Sequence, residues 1–121
     1  MAMPHVVLIE DDALVRKLLE KRLLLAGWQV SALRDGQRLM ECLQQQPADM
    51  ILVDLGLPGD DGLILVERIR AQGITVPVIV LTAYDLPHLH ATVRGAGADG
   101  LVQKPYDQEE LIARMRALLA A

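Results

Sequence analysis

Cysteine, basic blocks and long apolar runs are scarce in this chain, and each scarcity excludes a class of protein. The single cysteine, Cys42, excludes an internal disulfide. No apolar run reaches the roughly 18 residues of a membrane-spanning helix, and no cationic leader precedes an apolar segment. We therefore expect a cytoplasmic protein that has no membrane segment.

Basic and nucleophilic side chains are also too sparse for several common functions. The formal net charge is −4 at pH 7 and the Lys and Arg residues form no block, so this domain itself is not expected to bind nucleic acid. Ser31 is the only serine and has no adjacent histidine, which leaves little material for a Ser/His hydrolase. The histidines lack the Cys or carboxylate spacing of a zinc site.

The chain does contain enough apolar material for one core, since 52% of its 121 residues are hydrophobic. Apolar runs of strand length alternate with stretches of helical period. The predicted strands are 5–9, 28–33, 50–53, 76–81 and 101–102, and helices are predicted at 13–26, after Asp35, at 63–71, at 87–96 and after Asp107. About five βα units with continuous Val/Ile/Leu strands predict an α/β fold with a parallel sheet covered by helices on both faces.

Specific side chains define two of the predicted helix starts and one predicted core face. Asp35 and Asp107 are the expected N-caps. Leu23 and Leu24 add apolar surface to the first helix, which is consistent with a partner surface or with scattered exposed leucines. Five residues of that helix share one face and are predicted to point to the core: Leu14, Val15, Leu18, Leu19 and Leu25.

Polar residues gather where the predicted strands end, which is the edge at which open parallel sheets bind ligands. Carboxylates after the first strand would repel a nucleotide phosphate, so nucleotide binding is disfavoured. Two carboxylates about 4 Å apart repel by roughly 4 kcal/mol at an effective dielectric of about 20, so such a cluster needs a cation. Oxygen ligands without imidazole or thiolate favour Mg²⁺. The residues concerned are Glu10, Asp11, Asp12, Asp54, Thr82 and Lys104.

A carboxylate in this setting can act as a nucleophile toward phosphorus when a metal and a fixed amine offset the charge. Asp54 is the candidate nucleophile, and Asp11 and Asp12 are the candidate metal ligands. Lys104 is expected to pair with one phosphoryl oxygen and Thr82 to hydrogen-bond another. Taken singly, each aspartate also fits a helix cap, but capping accounts only for Asp12.

These residues resemble, in order and spacing, a receiver domain of the response regulators of bacterial two-component signalling. The matching segments are the acidic run 10–12, residues 54–58 with Gly62 eight positions after Asp54, residues 82–83 and residues 104–105. The resemblance covers essentially the whole chain. It implies one receiver domain over residues 1–121, with a flavodoxin-like, doubly wound, five-stranded parallel sheet of order 2-1-3-4-5 and about five helices.

The resemblance also implies the chemistry of a phosphorelay. A histidine kinase or histidine phosphotransfer protein would pass its phosphoryl group to Asp54. Mg²⁺ would be held by Asp12, Asp54 and the backbone carbonyl of Gly56, while Asp11 would act through metal-bound water. Phosphorylation would draw Thr82 inward, and a residue three positions before the lysine would relay this motion.

The relay would reach the surface of the fourth helix, the fifth strand and the fifth helix, which is also a possible homodimer contact. The relay position here is Leu101, where the family usually has Tyr or Phe. Leucine has less area and no hydroxyl, so this position departs from the family pattern.

Two alternatives stand beside a phosphoacceptor signalling domain whose only chemistry is its own phosphorylation and dephosphorylation. The first is a receiver-like interaction module that acts without phosphorylation, which Leu101 prompts. The second is an aspartate-nucleophile phosphohydrolase of another family. Against the second, Gly56 stands where such an enzyme has its second acid, and the chain has no cap domain.

Overall fold

A computed structural model of the protein describes residues 3–56, 62–85 and 87–120. Five strands alternate with five helices along these residues: β1 (His5–Ile9), α1 (Ala13–Leu25), β2 (Gln29–Leu33), α2 (Leu39–Gln45), β3 (Met50–Asp54), α3 (Gly62–Ala71), β4 (Val78–Thr82), α4 (Leu89–Ala96), β5 (Gly100–Gln103) and α5 (Gln108–Ala120). Pro58, in the loop predicted after the third strand, lies outside the described residues. None of the described helices is long and apolar enough to cross a membrane.

The five strands form one parallel sheet of order β2-β1-β3-β4-β5, which confirms the predicted α/β class and the topology that the resemblance implied. The register aligns the carboxyl ends of the strands. Ile9 pairs with both Leu33 and Val53, and Asp54 pairs with Leu81. The residues that end or follow the strands are therefore carried to one edge of the sheet.

Alternate residues of each strand enter two separate cores. Val7 and Ile9 of β1 pack in a cluster with residues of α2, α3 and α4, whereas Val6 and Leu8 pack in a second cluster with residues of α1 and α5. Helices therefore cover both faces of the sheet, and this is why all five residues of β1, β3 and β4 are buried.

Several element boundaries differ from the prediction. Asp54 and Thr82 are the last residues of β3 and β4 instead of the residues that follow them. The predicted cap at Asp35 is wrong, because α2 begins at Leu39 and the Asp35 carboxylate accepts the Gln37 backbone N–H within the preceding loop. Asp107 does stand directly before α5, and its carboxylate accepts the Glu109 N–H at 2.9 Å.

The predicted core face of α1 is wrong for three of its five residues, while Leu19 is buried as predicted and Val15 is half-buried. The fully buried residues of α1 are Leu19 and Leu23, whereas Leu14, Leu18 and Leu25 are 68%, 54% and 75% exposed. Leucines and valine occupy most of the circumference of this helix, so the periodicity did not single out the inward side. We call the exposed set Leu14, Leu18 and Leu25 the leucine surface of α1.

Arg70 of α3 joins three chain segments at the end of the sheet opposite the polar edge. Its guanidinium donates to the carbonyl of Gly97 at 2.8 Å, to the carbonyls of Ile74 and Val76 at 2.9 and 2.8 Å, and to the Asp99 carboxylate at 2.9 Å. Gly97 has φ 114°, and a Cβ there would lie 2.6 Å from Cγ of Arg70. These contacts fix α3 against the entries to β4 and β5.

Candidate functional site

The polar edge of the sheet receives functional side chains from the ends of several strands. Glu10 directly follows β1 and is 1% exposed, and Asp54 ends β3 and is 8% exposed. Lys104 directly follows β5, where its backbone N–H donates to the Thr82 carbonyl. Parallel pairing of β1, β3, β4 and β5 thus brings residues more than ninety positions apart into one site.

Lys104 bridges the two buried carboxylates. Its Nζ lies 2.9 Å from Oε1 of Glu10 and 3.1 Å from Oδ2 of Asp54. The backbone N–H of Gly56 donates to the other oxygen of Asp54, Oδ1, at 3.0 Å. Both oxygens of Asp54 therefore have a donor, and the carboxylate is held by β3, by the loop after it and by Lys104.

Three carboxylates at this edge are arranged as a candidate cation site. Ligand oxygens of Glu10, Asp11 and Asp54 all lie within 4.8 Å of one another. Asp11 is exposed, so the cluster is open to solvent on that side. An all-oxygen set of this charge suits a hard divalent cation such as Mg²⁺, and the residues present therefore fit the metal that the sequence predicted.

The pKa values of the two buried acids are shifted in opposite directions. Burial, together with the hydrogen bond to Asp54, raises the pKa of Glu10 from 4.5 to about 7, against the opposing effect of Lys104. Burial also opposes ionisation of Asp54, but hydrogen bonds from Glu10, Gly56 and Lys104 outweigh it and lower the pKa of Asp54 below 3.8. The lowered pKa keeps Asp54 ionised at neutral pH, which is the form that a nucleophile needs.

Lys104 remains a cation in this site. Burial opposes its charge, but hydrogen bonds to Glu10 and Asp54 outweigh that effect and raise the pKa of Lys104 above 10.5. A positive group fixed beside Asp54 is positioned to neutralise negative charge that is added to that carboxylate.

Asp12, the second acid predicted to hold the metal, has a different contact. Its Oδ1 accepts the backbone N–H groups of Leu14 and Val15, each at 3.0 Å, so the side chain is the N-cap of α1. Glu10, which belonged to the predicted acidic run but not to the predicted ligand set, lies in the cluster instead. An aspartate directly before the first residue of a helix is a common N-cap, as the sequence predicted for Asp12.

Thr82 and Leu101, the predicted switch residues, lie on neighbouring strands. The Thr82 side chain is buried, and its Oγ1 accepts the Tyr84 N–H at 3.0 Å, so the hydroxyl is tied to the loop after β4. Leu101 is buried in the same core as residues of α3 and α4, and its carbonyl accepts a hydrogen bond from Arg114 of α5 at 2.9 Å. Leu101 thus contacts the elements of the predicted output surface, whereas the contact found for the Thr82 hydroxyl is with the loop after β4.

Comparison with known proteins matches this chain to one family over most of its length. The family model for the response regulator receiver domain matches residues 6–116. The virulence transcriptional regulatory protein PhoP of Salmonella choleraesuis is 42% identical over 117 residues, which are 97% of this chain and 52% of that protein. The chain therefore spans about half the length of this relative.

Solved structures give the same result for the fold. The BeF3-activated N-terminal receiver domain of Klebsiella pneumoniae RstA is 30% identical with a TM-score of 0.89, covering 97% of this chain and 99% of that one. The receiver domain of the Francisella response regulator 1452 is 27% identical with a TM-score of 0.90, covering 97% of each chain.

Proposed function

Because this chain belongs to the response regulator receiver domains, a family of signalling modules rather than classical enzymes, we propose that it relays a signal by accepting a phosphoryl group on Asp54. The observation that carries the proposal is Lys104 Nζ held between Glu10 and Asp54 at 2.9 and 3.1 Å, beside an open cluster of three carboxylates. The phosphoryl donor is a histidine kinase or histidine phosphotransfer protein, and the receiver domain comprises residues 1–121.

Asp54 is equipped for nucleophilic attack. A P–O bond forms from an Asp54 oxygen while the P–N bond to the donor histidine breaks, and the imidazole leaves with the electron pair and takes a proton from solvent. Lys104 exchanges its contact with Asp54 for one with a phosphoryl oxygen, and the Thr82 hydroxyl donates to another. Asp11, Asp54 and the Gly56 carbonyl would hold Mg²⁺, with Glu10 beside them, and the ion would supply charge stabilisation for the transferring group.

The leucine surface of α1 is the part of this proposal that accounts for the partner. Asp12, the N-cap of α1, lies beside the acidic cluster. Leu14, two residues further along the chain, is therefore close to the edge at which the donor must arrive. Exposed leucines in a row beside a reactive site favour an apolar contact with another protein. The occupant that fits is the phosphodonor, because only the donor must bring its own side chain to Asp54.

Control of an output is the remaining element of the proposal. Phosphorylation of Asp54 pulls Thr82 and, through Leu101, changes the surface formed by α4, β5 and α5, which can also serve as a homodimer contact. The Salmonella relative is named as a transcriptional regulator, and control of transcription is the output we assign, with no nucleic-acid contact by this domain itself. The location that fits this role is the cytoplasm.

The test is to incubate the protein with Mg²⁺ and a small phosphoryl donor and to measure its intact mass. We expect one phosphoryl group on the wild type and none on Asp54→Asn. Asp85→Asn is a matched control, because Asp85 is an exposed carboxylate in the loop after β4 and its loss removes the same charge. That variant should be labelled like the wild type, and chelation of Mg²⁺ should abolish labelling of both.

Two other outcomes would redirect the proposal. If the wild type gains no phosphoryl group from several donors, the alternative of an interaction module that acts without phosphorylation replaces it. Steady release of phosphate from a metabolite would instead favour a phosphohydrolase. Equal labelling of wild type and Asp54→Asn would reject Asp54 as the acceptor.

A further inference from the structure

A hollow of about 400 Å³ lies beyond the carboxyl end of β2, on the same edge of the sheet as the acidic cluster but lined by other residues. It lies between the start of α1 and the segment that joins β2 to α2. Its size falls in the range of about 300–1,000 Å³ that is common for small-molecule sites. Three arginines and one aspartate contribute its charged lining: Arg16, Arg34, Arg38 and Asp35.

The charge of this lining is opposite to that of the whole chain. Three guanidinium groups against one carboxylate leave a local excess of positive charge in a protein whose net charge is −4. Arg34 and Arg38 are exposed, and the ion pair of Arg34 with Oδ2 of Asp35, the one it makes within the described part of the chain, is long at 3.7 Å. Both arginines therefore keep donors that a ligand can take.

Arg16 supplies the fixed wall of the hollow. Its Nη1 donates to the backbone carbonyl of Glu10 at 2.9 Å and more weakly to that of Asp11 at 3.4 Å. The side chain is thereby oriented before any ligand arrives, while the rest of its guanidinium fork remains a donor surface. One anchored and two exposed arginines around one hollow are a suitable arrangement for bidentate recognition of phosphate oxygens.

We infer that this hollow, the arginine site, binds a small anion of the diphosphate class, either free or as part of a nucleotide. The hollow is large enough for two linked phosphoryl groups, and its excess positive charge matches more than one negative charge. A monocarboxylate would leave at least one of the arginines unpaired. The inference does not depend on phosphorylation of Asp54, which is not part of the lining.

The test is calorimetric titration with pyrophosphate in metal-free buffer at low salt. We expect wild type to bind with a dissociation constant of about 1 mM or tighter, and less tightly as salt is added. Arg34→Gln combined with Arg38→Gln should weaken binding about tenfold or more. The matched control combines Arg68→Gln with Arg94→Gln, which removes the same charge from exposed positions on α3 and α4 and should change binding less than twofold.

A variant of the one acidic lining residue tests the sign of the effect. Asp35→Asn keeps an oxygen to accept the Gln37 N–H but removes the negative charge, so pyrophosphate should bind several-fold more tightly. A merely structural role for Asp35 would not produce tighter binding. All variants change exposed or loop side chains, and circular dichroism will show that they are folded.

The nearby acidic site is the main competing location for an anion, through Lys104. Asp54→Asn should leave pyrophosphate binding unchanged if the arginine site holds the ligand, whereas stronger binding in that variant would place the anion at Lys104 and overturn the inference. Absence of binding to wild type, or equal loss in the two double variants, would overturn it too. ADP distinguishes the sources: tighter binding than pyrophosphate indicates a nucleotide, and weaker binding indicates the free anion.

Discussion

Asp11 and Asp12 are adjacent acids whose carboxylates make different contacts. Asp11 contributes an oxygen to the cluster with Glu10 and Asp54, whereas Oδ1 of Asp12 accepts two backbone N–H groups of α1. We therefore expect Asp11→Asn to weaken Mg²⁺ binding by about tenfold or more, because it removes a ligand charge. Asp12→Asn, which keeps the capping oxygen, should change the affinity only about two- to threefold. Titration with Mg²⁺, followed by intrinsic fluorescence or calorimetry, measures both.

The stability of the same variants supplies the control for the cap. Asp12→Ala should lower the free energy of unfolding by about 1 kcal/mol, as loss of an N-cap does, while Asp12→Asn should retain most of it. Denaturant unfolding in the absence of divalent cations measures this difference. Equal losses of Mg²⁺ affinity in Asp11→Asn and Asp12→Asn would instead show that Asp12 is also a ligand, as the sequence predicts.

The positions of Asp54 and Lys104 at the polar edge could be predicted from the sequence, because each ends or directly follows a buried apolar run. The pairing of Glu10 with Asp54 through Lys104 could not, since which of three consecutive acids points inward depends on where the helix begins. The cap at Asp12 fixes that point. With Asp12 used by α1, Glu10 is buried and contacts the Lys104 amine, while Asp11 is exposed.

The helix α1 presents one face to the core and another, the leucine surface, to solvent. Leu14→Gln combined with Leu18→Gln should reduce phosphoryl transfer from a phosphorylated histidine phosphotransfer domain about tenfold, since exposed apolar area in an interface is lost. Labelling by a small phosphoryl donor should be unchanged, because neither residue belongs to the acidic cluster. Time courses of labelled protein measure both reactions.

Ile64 provides the matched control for that variant. It is 50% exposed on α3, so Ile64→Gln removes a similar apolar side chain from another helix. Transfer from the phosphotransfer domain should be close to the wild-type rate in this control. A similar reduction in both variants, or a parallel loss of labelling by the small donor, would argue against α1 as the docking element.

Arg70 of α3 joins several chain segments by hydrogen bonds at the end of the sheet opposite the polar edge. Its guanidinium satisfies three backbone carbonyls and the Asp99 carboxylate, which in turn accepts the Val78 N–H at 2.9 Å. Arg70→Ala leaves several of these groups without their donor and should lower the free energy of unfolding by about 2–4 kcal/mol. Denaturant unfolding measures the loss. Arg68→Ala, an exposed neighbour, should cost less than about 0.5 kcal/mol.

Helix and strand order could be predicted, but these contacts between elements could not. The alternation of apolar runs and helical periods is local, whereas the inward face of α1 depends on how Leu19 and Leu23 meet the second core. Arg70 gives no sequence signal either, because three of its partners are backbone carbonyls, which every residue possesses, and the fourth, Asp99, is 29 positions away. Several faces of α1 are about equally apolar in sequence, and tertiary packing determines which of them is buried.

At the scale of the whole molecule, the parallel sheet brings the residues of the candidate site together. Aligned strand ends collect Asp54, Thr82 and Lys104 at one edge, while the same strands carry Leu101 into the core shared with α3 and α4. The same sheet therefore carries Asp54, the proposed phosphoacceptor, and Leu101, the proposed relay residue. The parallel alternation of strands and helices was enough to predict that the polar residues meet at one edge.

Phosphorylation should therefore alter a distant surface, and Thr82 should be needed for it. We expect phosphorylated wild type to show changed amide hydrogen exchange in α4 and β5, because the Thr82 hydroxyl leaves its contact with the Tyr84 N–H and moves toward the phosphoryl group. Thr82→Val keeps the side-chain shape but removes the hydroxyl, so it should be phosphorylated at Asp54 and yet show little exchange change in α4. Mass spectrometry of peptides from α4 and β5 measures this. Changes of equal size in Thr82→Val would show that the signal reaches α4 by a route that does not use this hydroxyl.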